Sequence, residues 1–263
     1  MIRMSDMAET KKKQLIGSLT KGLIILETMM EKKNIGVTEL GTILGVNKSS
    51  AYRLLSTLEE RGFVEQDSDT GKYRLGIKLA RLEAIVLDSS KIREISYSYL
   101  KELTSRTRET SSLSVLSENQ GIIIEKMNSE EKISANPYIG MVEPLYCTAL
   151  GKAILSNYPE EKQREILESL NIVAYTPKTM TQIPHIIDDL KRTSASGVAI
   201  DDEEYSLGMR CIAAAVYDHR GDTIAAIGIS GPISRMRTEI IDKYIAIVKE
   251  VAAEFSSQLG YRK

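Results

Sequence analysis

The chain has 263 residues, 42% of them hydrophobic and 27% charged, with a formal net charge of −1. That is ordinary core-forming material for one large domain or two modest ones, and any affinity for nucleic acid must come from local placement, because bulk charge supplies none. The two cysteines, Cys147 and Cys211, are too few and too far apart for a disulfide framework, and no CxxC or Cys/His spacing suggests a metal or other cofactor. No apolar run approaches the roughly 18 residues that span a bilayer, and no signal-peptide core opens the chain, which points to a reduced cytoplasmic protein without membrane contact.

Residues 1–17 are polar and Met-rich and carry Lys11-Lys12-Lys13, the composition of a disordered tail. Leu19, Leu23, Leu26 and Met30 then step by 4, 3 and 4, so a first helix is predicted near Ser18 with those four turned inward. Residues 38–45 read as a short helix closed by Gly45. Val46 and Asn47 follow as a tight turn, with Asn47 capping a second helix that ends at Gly62. On this second helix Ala51, Leu54, Leu55 and Leu58 share one face. Ser49, Arg53 and Ser56 lie opposite, flanked by Tyr52 and Thr57.

A surface helix ordinarily carries Glu and Lys outward. Short hydroxyls, an amphipathic ring and an Arg suit phosphates and base edges in a major groove instead. The pair is therefore predicted to be a helix-turn-helix. Residues 63–66 and 72–75 flank Asp67-Ser68-Asp69-Thr70-Gly71, two short strands around a turn that read as a hairpin wing. The expected contacts to double-stranded operator DNA are Thr38, Lys48, Ser49, Ser50, Tyr52, Arg53 and Thr57 from the helices, and Lys72 and Arg74 from the wing. The whole DNA-binding domain is placed at residues 18–75.

Residues 76–91 carry Ile77, Leu79, Leu82, Ile85 and Val86, a helical apolar stripe with no partner inside its own domain. A linker helix docked on its copy in a homodimer would cover it. Residues 92–263 mix helices and strands. A helix at 92–108 precedes a hairpin of strands at 110–117 and 120–127, and a short third strand is expected at 132–136. Helices at 148–156, 160–170 and 184–196 lead to strands at 198–203, 209–218 and 222–230. A last helix covers about 237–259. The expected fold class is α+β, a mostly antiparallel sheet with helices packed to one side.

Three blocks of this sequence resemble the IclR family of bacterial transcriptional regulators. The first runs from Ser56-Thr57-Leu58-Glu59-Glu60-Arg61-Gly62-Phe63-Val64 to Tyr73-Arg74-Leu75-Gly76, and the second is Thr148-Ala149-Leu150-Gly151-Lys152-Ala153. The third begins Gly197-Val198-Ala199-Ile200-Asp201-Asp202-Glu203-Glu204-Tyr205, continues through Gly208-Met209-Arg210-Cys211-Ile212-Ala213-Ala214 and closes on Ser230-Gly231-Pro232. The resemblance covers about residues 18–260, and its third block is the specific one. It implies a winged helix-turn-helix, a linker helix and a C-terminal GAF-like α+β domain. It further implies a homodimer, often a dimer of dimers, that serves commonly as repressor of a catabolic operon and responds to a small organic acid. By position, the effector would meet Ala135, Ala149, Leu150, Asp201, Met209, Cys211, Gly228 and Ser230.

The residues themselves support an effector site. Thr148 is a good helix cap, and the N–H groups of Ala149, Leu150 and Gly151 would then offer an anion site. Two positions depart from the family pattern: Tyr146 stands where a histidine is common, and Gly228 where some members hold a serine. Glycine there is expected to open space, favouring a monocarboxylate longer than pyruvate with a hydroxyl, aromatic or sugar-like body. The competing reading is an enzyme using the carboxylates Asp201, Asp202, Glu203 and Glu204. Strand alternation lets only part of that run share a site, and no nucleophile–base pair accompanies it. A regulator is the expectation, and an enzyme is not.

Overall fold

The computed structural model describes residues 16–82 and 91–262. Chain contacts divide it into two compact units, one up to Val86 and one from Leu87. The basic tail residues Lys11–Lys13 and the stripe residues Ile85 and Val86 lie outside the described residues.

In the first unit, helices α1 (Gly17–Glu31), α2 (Val37–Ile43) and α3 (Lys48–Glu60) precede the strands β1 (Val64–Gln66) and β2 (Tyr73–Leu75). Asn47 caps α3 by accepting from the Ser50 N–H at 2.9 Å, and Gly62 ends it at φ +76°, a left-handed value that a side chain resists. β1 and β2 pair antiparallel, Val64 opposite Leu75, and Ile35 bridges to Tyr73 to tie the α1–α2 connection to the wing. Asp67 Oδ1 organises the wing turn, accepting from the N–H groups of Asp69 and Thr70 and from the Thr70 hydroxyl. The core holds Ile25, Met29, Ile35, Leu40, Leu55, Val64 and Tyr73.

That core corrects the expectation for α1. Ile25 and Met29 point inward, while Leu19, Leu23 and Met30 are 61%, 51% and 69% exposed. The helix is apolar on two faces, and the 4-3-4 spacing selected the outer one; Leu26 lies between them, packed against the core. Residues 78–82 are helical, with Ile77 and Leu82 exposed.

The second unit is built on a six-stranded sheet in the order β5-β4-β3-β8-β7-β6. Its strands are β3 (Thr110–Ser117), β4 (Gln120–Met127), β5 (Val142–Glu143), β6 (Ala199–Asp202), β7 (Met209–Tyr217) and β8 (Thr223–Pro232), and every pairing is antiparallel. The helices are α4 (Lys91–Thr107), α5 (Ala149–Leu155), α6 (Glu160–Ser169), α7 (Ile183–Ser196) and α8 (Thr238–Gln258).

Strand alternation sorts the two faces. Leu113, Ile212, Ala214, Ile227 and Ile229 face α4 and α8, packing on Leu100, Leu103, Val248, Val251 and Phe255. The other face carries small residues, and Ala149, Leu150, Ala153 and Ile154 of α5 settle on Ala199, Ala213 and Ala226. Helices therefore cover both faces, not one side as expected. The alternating bulky and small residues of β7 and β8 are what make that possible.

Residues 132–136 form a loop, not the expected strand. The Thr110 hydroxyl takes the Ala135 carbonyl at 2.8 Å, and Pro137 follows, so a side chain satisfies the loop's backbone in place of a ladder. The strand beside β4 is the two-residue β5, with Gly121 opposite Glu143.

Candidate functional site

The outer surface of α3 presents Lys48, Ser49, Tyr52, Arg53 and Thr57 to solvent, with Ser50 half-buried. Its first turn is already knitted: the Ser49 hydroxyl and the Ser50 N–H both donate to Asn47 Oδ1 at 2.9 Å. Thr57 Oγ1 donates back to the Arg53 carbonyl at 2.8 Å, which leaves its methyl group and an oxygen lone pair to the outside. Thr38 lies exposed in the first turn of α2, its carbonyl accepting from Thr42 Oγ1. On the wing Lys72 is exposed and has no ion pair among the described residues, whereas Arg74 leans on Glu65 at 3.4 Å. Lys48, Arg53 and Lys72 are thus the cations most available to a phosphate backbone.

In the second unit the register lines up a polar row across the small-residue face. Thr110 lies opposite Ser230, Ser230 opposite Cys211, and Cys211 opposite Asp201. The next row runs Ser112, Gly228, Ala213, Ala199. α5 covers the second row, whereas Cys211, Ser230 and Met209 keep partial exposure in the middle of the sheet. Ala135 is tied to this end of the face by its carbonyl, which accepts from the Thr110 hydroxyl.

Asp201, 2% exposed, accepts from the N–H groups of Glu204 at 2.7 Å and Tyr205 at 3.3 Å. Burial still pushes its carboxyl above the usual range, against those two bonds. Burial likewise raises both thiols, Cys147 and Cys211, with the Asp201 charge adding to it. Neither thiol is poised for nucleophilic work.

Two expected effector residues change role. Thr148 caps α5 as anticipated, its hydroxyl accepting from the Gly151 N–H at 3.1 Å. That bond uses the Gly151 donor, so only the Ala149 and Leu150 N–H groups are left of the proposed three. A Cβ on Gly151 would lie 2.6 Å from the Leu145 Cα; glycine is there for close packing. Gly228 does not open space either. A Cβ there would lie 2.7 Å from the Ala213 Cβ and 2.8 Å from its Cα, so the missing side chain lets β8 approach β7. The size argument drawn from that glycine falls.

Three residues that sequence reasoning passed over stand close by. Ser112, 3% exposed, has a hydroxyl with no partner. Glu143 holds a buried Oε2 without a donor, and burial together with the Asp201 charge pushes its carboxyl up to about 7. Lys152, 1% exposed on α5, reaches Glu204 at 2.5 Å and Asp189 at 2.9 Å. Burial works against its charge, but the two carboxylates outweigh it and keep the ammonium ionised. A lysine among Ala, Leu and Gly on a seven-residue helix was the available signal, since a buried charge requires a partner.

The acidic run is shared out. Asp202 pairs with Arg210 at 2.6 Å, Glu203 with Lys178 at 2.5 Å and Glu204 with Lys152. Only Asp201 and Glu204 turn inward, and no group of three or more His, Cys, Asp or Glu is arranged for a metal among the described residues. This is scaffolding, not an acid–base dyad.

A winged helix-turn-helix and an antiparallel α+β unit in one chain define a two-domain DNA-binding transcriptional regulator. Residues 18–68 match the IclR helix-turn-helix domain and residues 84–257 the IclR C-terminal domain of bacterial transcriptional regulators. The transcriptional repressor IclR of Escherichia coli is 33% identical over 248 residues, 93% of this chain and 90% of that protein. The Thermotoga maritima IclR structure superposes with a TM-score of 0.71 at 33% identity, covering 93% of this chain and 99% of that one. An IclR homologue from Microbacterium hydrocarbonoxydans, complexed with 4-hydroxybenzoate, shares the fold at 22% identity and a TM-score of 0.76, over 92% and 98% of the two chains. The chain belongs to the IclR family of DNA-binding transcriptional regulators, whose named relatives are regulators and repressors, not enzymes. No helix among the described residues is long and apolar enough to cross a membrane.

Proposed function

We propose that this protein represses a catabolic operon in the cytoplasm and that a small organic acid bound in the second unit changes its hold on the operator. The DNA-reading surface is α3 with Arg53, Tyr52 and Lys48, supported by Thr38, Ser49, Ser50 and Thr57 and flanked by the wing residues Lys72 and Arg74. The effector site is the sheet face around Ser230, Cys211 and Asp201, bordered by Ala135, Met209 and the start of α5 at Thr148, Ala149 and Leu150.

The observation that carries the reading is the polar row left uncovered on an otherwise small and apolar sheet face. The partly exposed Ser230 hydroxyl and Cys211 thiol, with Asp201 beside them, are polar groups that a small polar ligand can meet on an otherwise apolar face. That a relative of the same fold was crystallised with 4-hydroxybenzoate supports a carboxylic ligand with a further polar group. The working form is a homodimer, or a dimer of dimers, joined through the linker at 76–91.

Footprinting of the intact protein on the promoters beside its own gene tests the DNA half, with random DNA of equal length as reference. Protection of a symmetric site is the expected result. Equal affinity for random DNA would remove the regulator reading. Turnover of a candidate acid by the purified protein would restore the enzyme alternative.

A further inference from the structure

A groove of about 1020 Å³ runs between α1 and α3 in the first unit. Its floor is apolar, made by Val46 and by Leu54 and Leu58, which pack partly buried on the core below. Its rim is polar, with Ser18 and Lys21 on the α1 side and Ser50, Arg53 and Thr57 on the α3 side. No Asp or Glu lines it among the described residues. Lys32, just past the far end of α1, is held by Glu39 at 2.6 Å. Lys21 and Arg53 have no such partner among the described residues, so both charges are left to whatever enters the groove.

Gly22 opens the α1 wall of this groove. It sits inside the helix with no positive φ to call for glycine, and alanine would hold a helix interior better. A Cβ there would meet no atom of another element within 4 Å. Gly41 of α2 is different, since a Cβ on it would lie 3.0 Å from the Val46 carbonyl oxygen. Packing inside the unit explains Gly41 and does not explain Gly22. A glycine that weakens its helix and serves no internal contact suits a place where something from outside comes close to the backbone.

The groove is continuous with the face of α3 that presents Tyr52, Arg53 and Thr57 to solvent. A nucleic-acid strand alternates apolar sugar edges with phosphates, which matches an apolar floor rimmed by cations and hydroxyls. We propose that, with α3 in the major groove, the flanking DNA strand lies along the α1–α3 groove. Its phosphates are held by Lys21 beside Arg53, and its sugar edge passes over Gly22. This rests on the reading of α3 as the DNA-reading helix and extends the interface to α1, an element outside the helix-turn-helix.

The test is fluorescence anisotropy of the intact protein on a promoter duplex from beside its own gene and on a random duplex of equal length, across a salt series. Lys21→Ala should weaken both duplexes alike and reduce the salt slope by roughly 1. Gly22→Ala should weaken both by about threefold or more and Gly22→Leu by about tenfold, while the melting temperature holds or rises, because each replaces a glycine within a helix. Lys32→Ala removes the same charge from a paired lysine and should leave the slope unchanged. Every variant should keep the wild-type mass by light scattering. If Lys21→Ala or the Gly22 variants bind both duplexes as the wild type does, the inference is overturned. The same holds if Lys32→Ala lowers the slope as far as Lys21→Ala, or if the Gly22 variants change the mass, which would give the groove to a second copy of the chain. If Arg53→Ala loses affinity while the Lys21 and Gly22 variants do not, the reading of α3 stands and the groove falls. If the wild type binds neither duplex, both fall.

Discussion

Arg53 and Glu143 show how much one side chain can be asked to decide. Arg53 is exposed, without an ion pair among the described residues, and projects from the middle turn of α3. If it reads a guanine, Arg53→Ala should cost roughly 1–3 kcal/mol on operator DNA and relax preference at one base pair. Fluorescence anisotropy on operator and random duplexes checks it. An equal loss on both would make Arg53 a phosphate contact. Glu143 sets a pH response. Burial, with the Asp201 charge adding to it, raises its carboxyl from 4.5 to about 7. Between those values the folded protein keeps a proton that the unfolded chain has lost. Its contribution is therefore fully present below pH 4.5 and lost as pH rises to about 7, on the order of 1–3 kcal/mol. Thermal melts at pH 5 and pH 8 should show the second unit weakening, and Glu143→Gln should reduce that decline, with Glu204, which burial also raises to about 7, keeping its own share. An equally steep decline in the variant would contradict the assignment.

The elements differ in how openly the sequence announced them. The wing was plain, because a turn built on Asp67 and Gly71 between alternating residues leaves few options. Its two cations are not equivalent, however. Lys72 is unpaired among the described residues and Arg74 shares its charge with Glu65, so Lys72→Ala should reduce the salt slope of DNA binding by roughly 1 and Arg74→Ala by less. An unchanged slope for Lys72→Ala would take the wing out of the interface. The face of α1 was ambiguous because two apolar stripes share one helix, and only Ile35, Leu40 and Tyr73 decide which is covered. The cap at Thr148 was readable, but its use of the Gly151 N–H was not. Glu143 was hidden for a different reason: a two-residue strand ahead of Pro144 has no periodicity. The close approach at Gly228 is a matter of strand packing, and no local pattern distinguishes it from an open space.

For the whole molecule, the proposed assembly rests on what the first unit leaves uncovered. Leu19, Leu23, Met30, Ile77 and Leu82 are all exposed large apolar side chains within that unit. Exposed apolar area of this kind is ordinarily buried against another chain. Light scattering at micromolar concentration should give a dimer or tetramer, and Leu19→Glu combined with Leu23→Glu should shift it toward monomer. A wild-type monomer would contradict the account, as would a variant that assembles unchanged.

The claim that joins the scales is that a ligand in the second unit changes how tightly the first unit holds DNA. The most direct measurement is operator affinity of the intact protein with and without a saturating ligand found by calorimetry, for wild type and Asp201→Asn. Coupling of this kind ordinarily changes affinity by roughly 5–150-fold. The account expects a change in that range for wild type, and expects Asp201→Asn to bind operator normally while losing the response. A ligand that binds the wild-type protein tightly yet leaves operator affinity unchanged would contradict it.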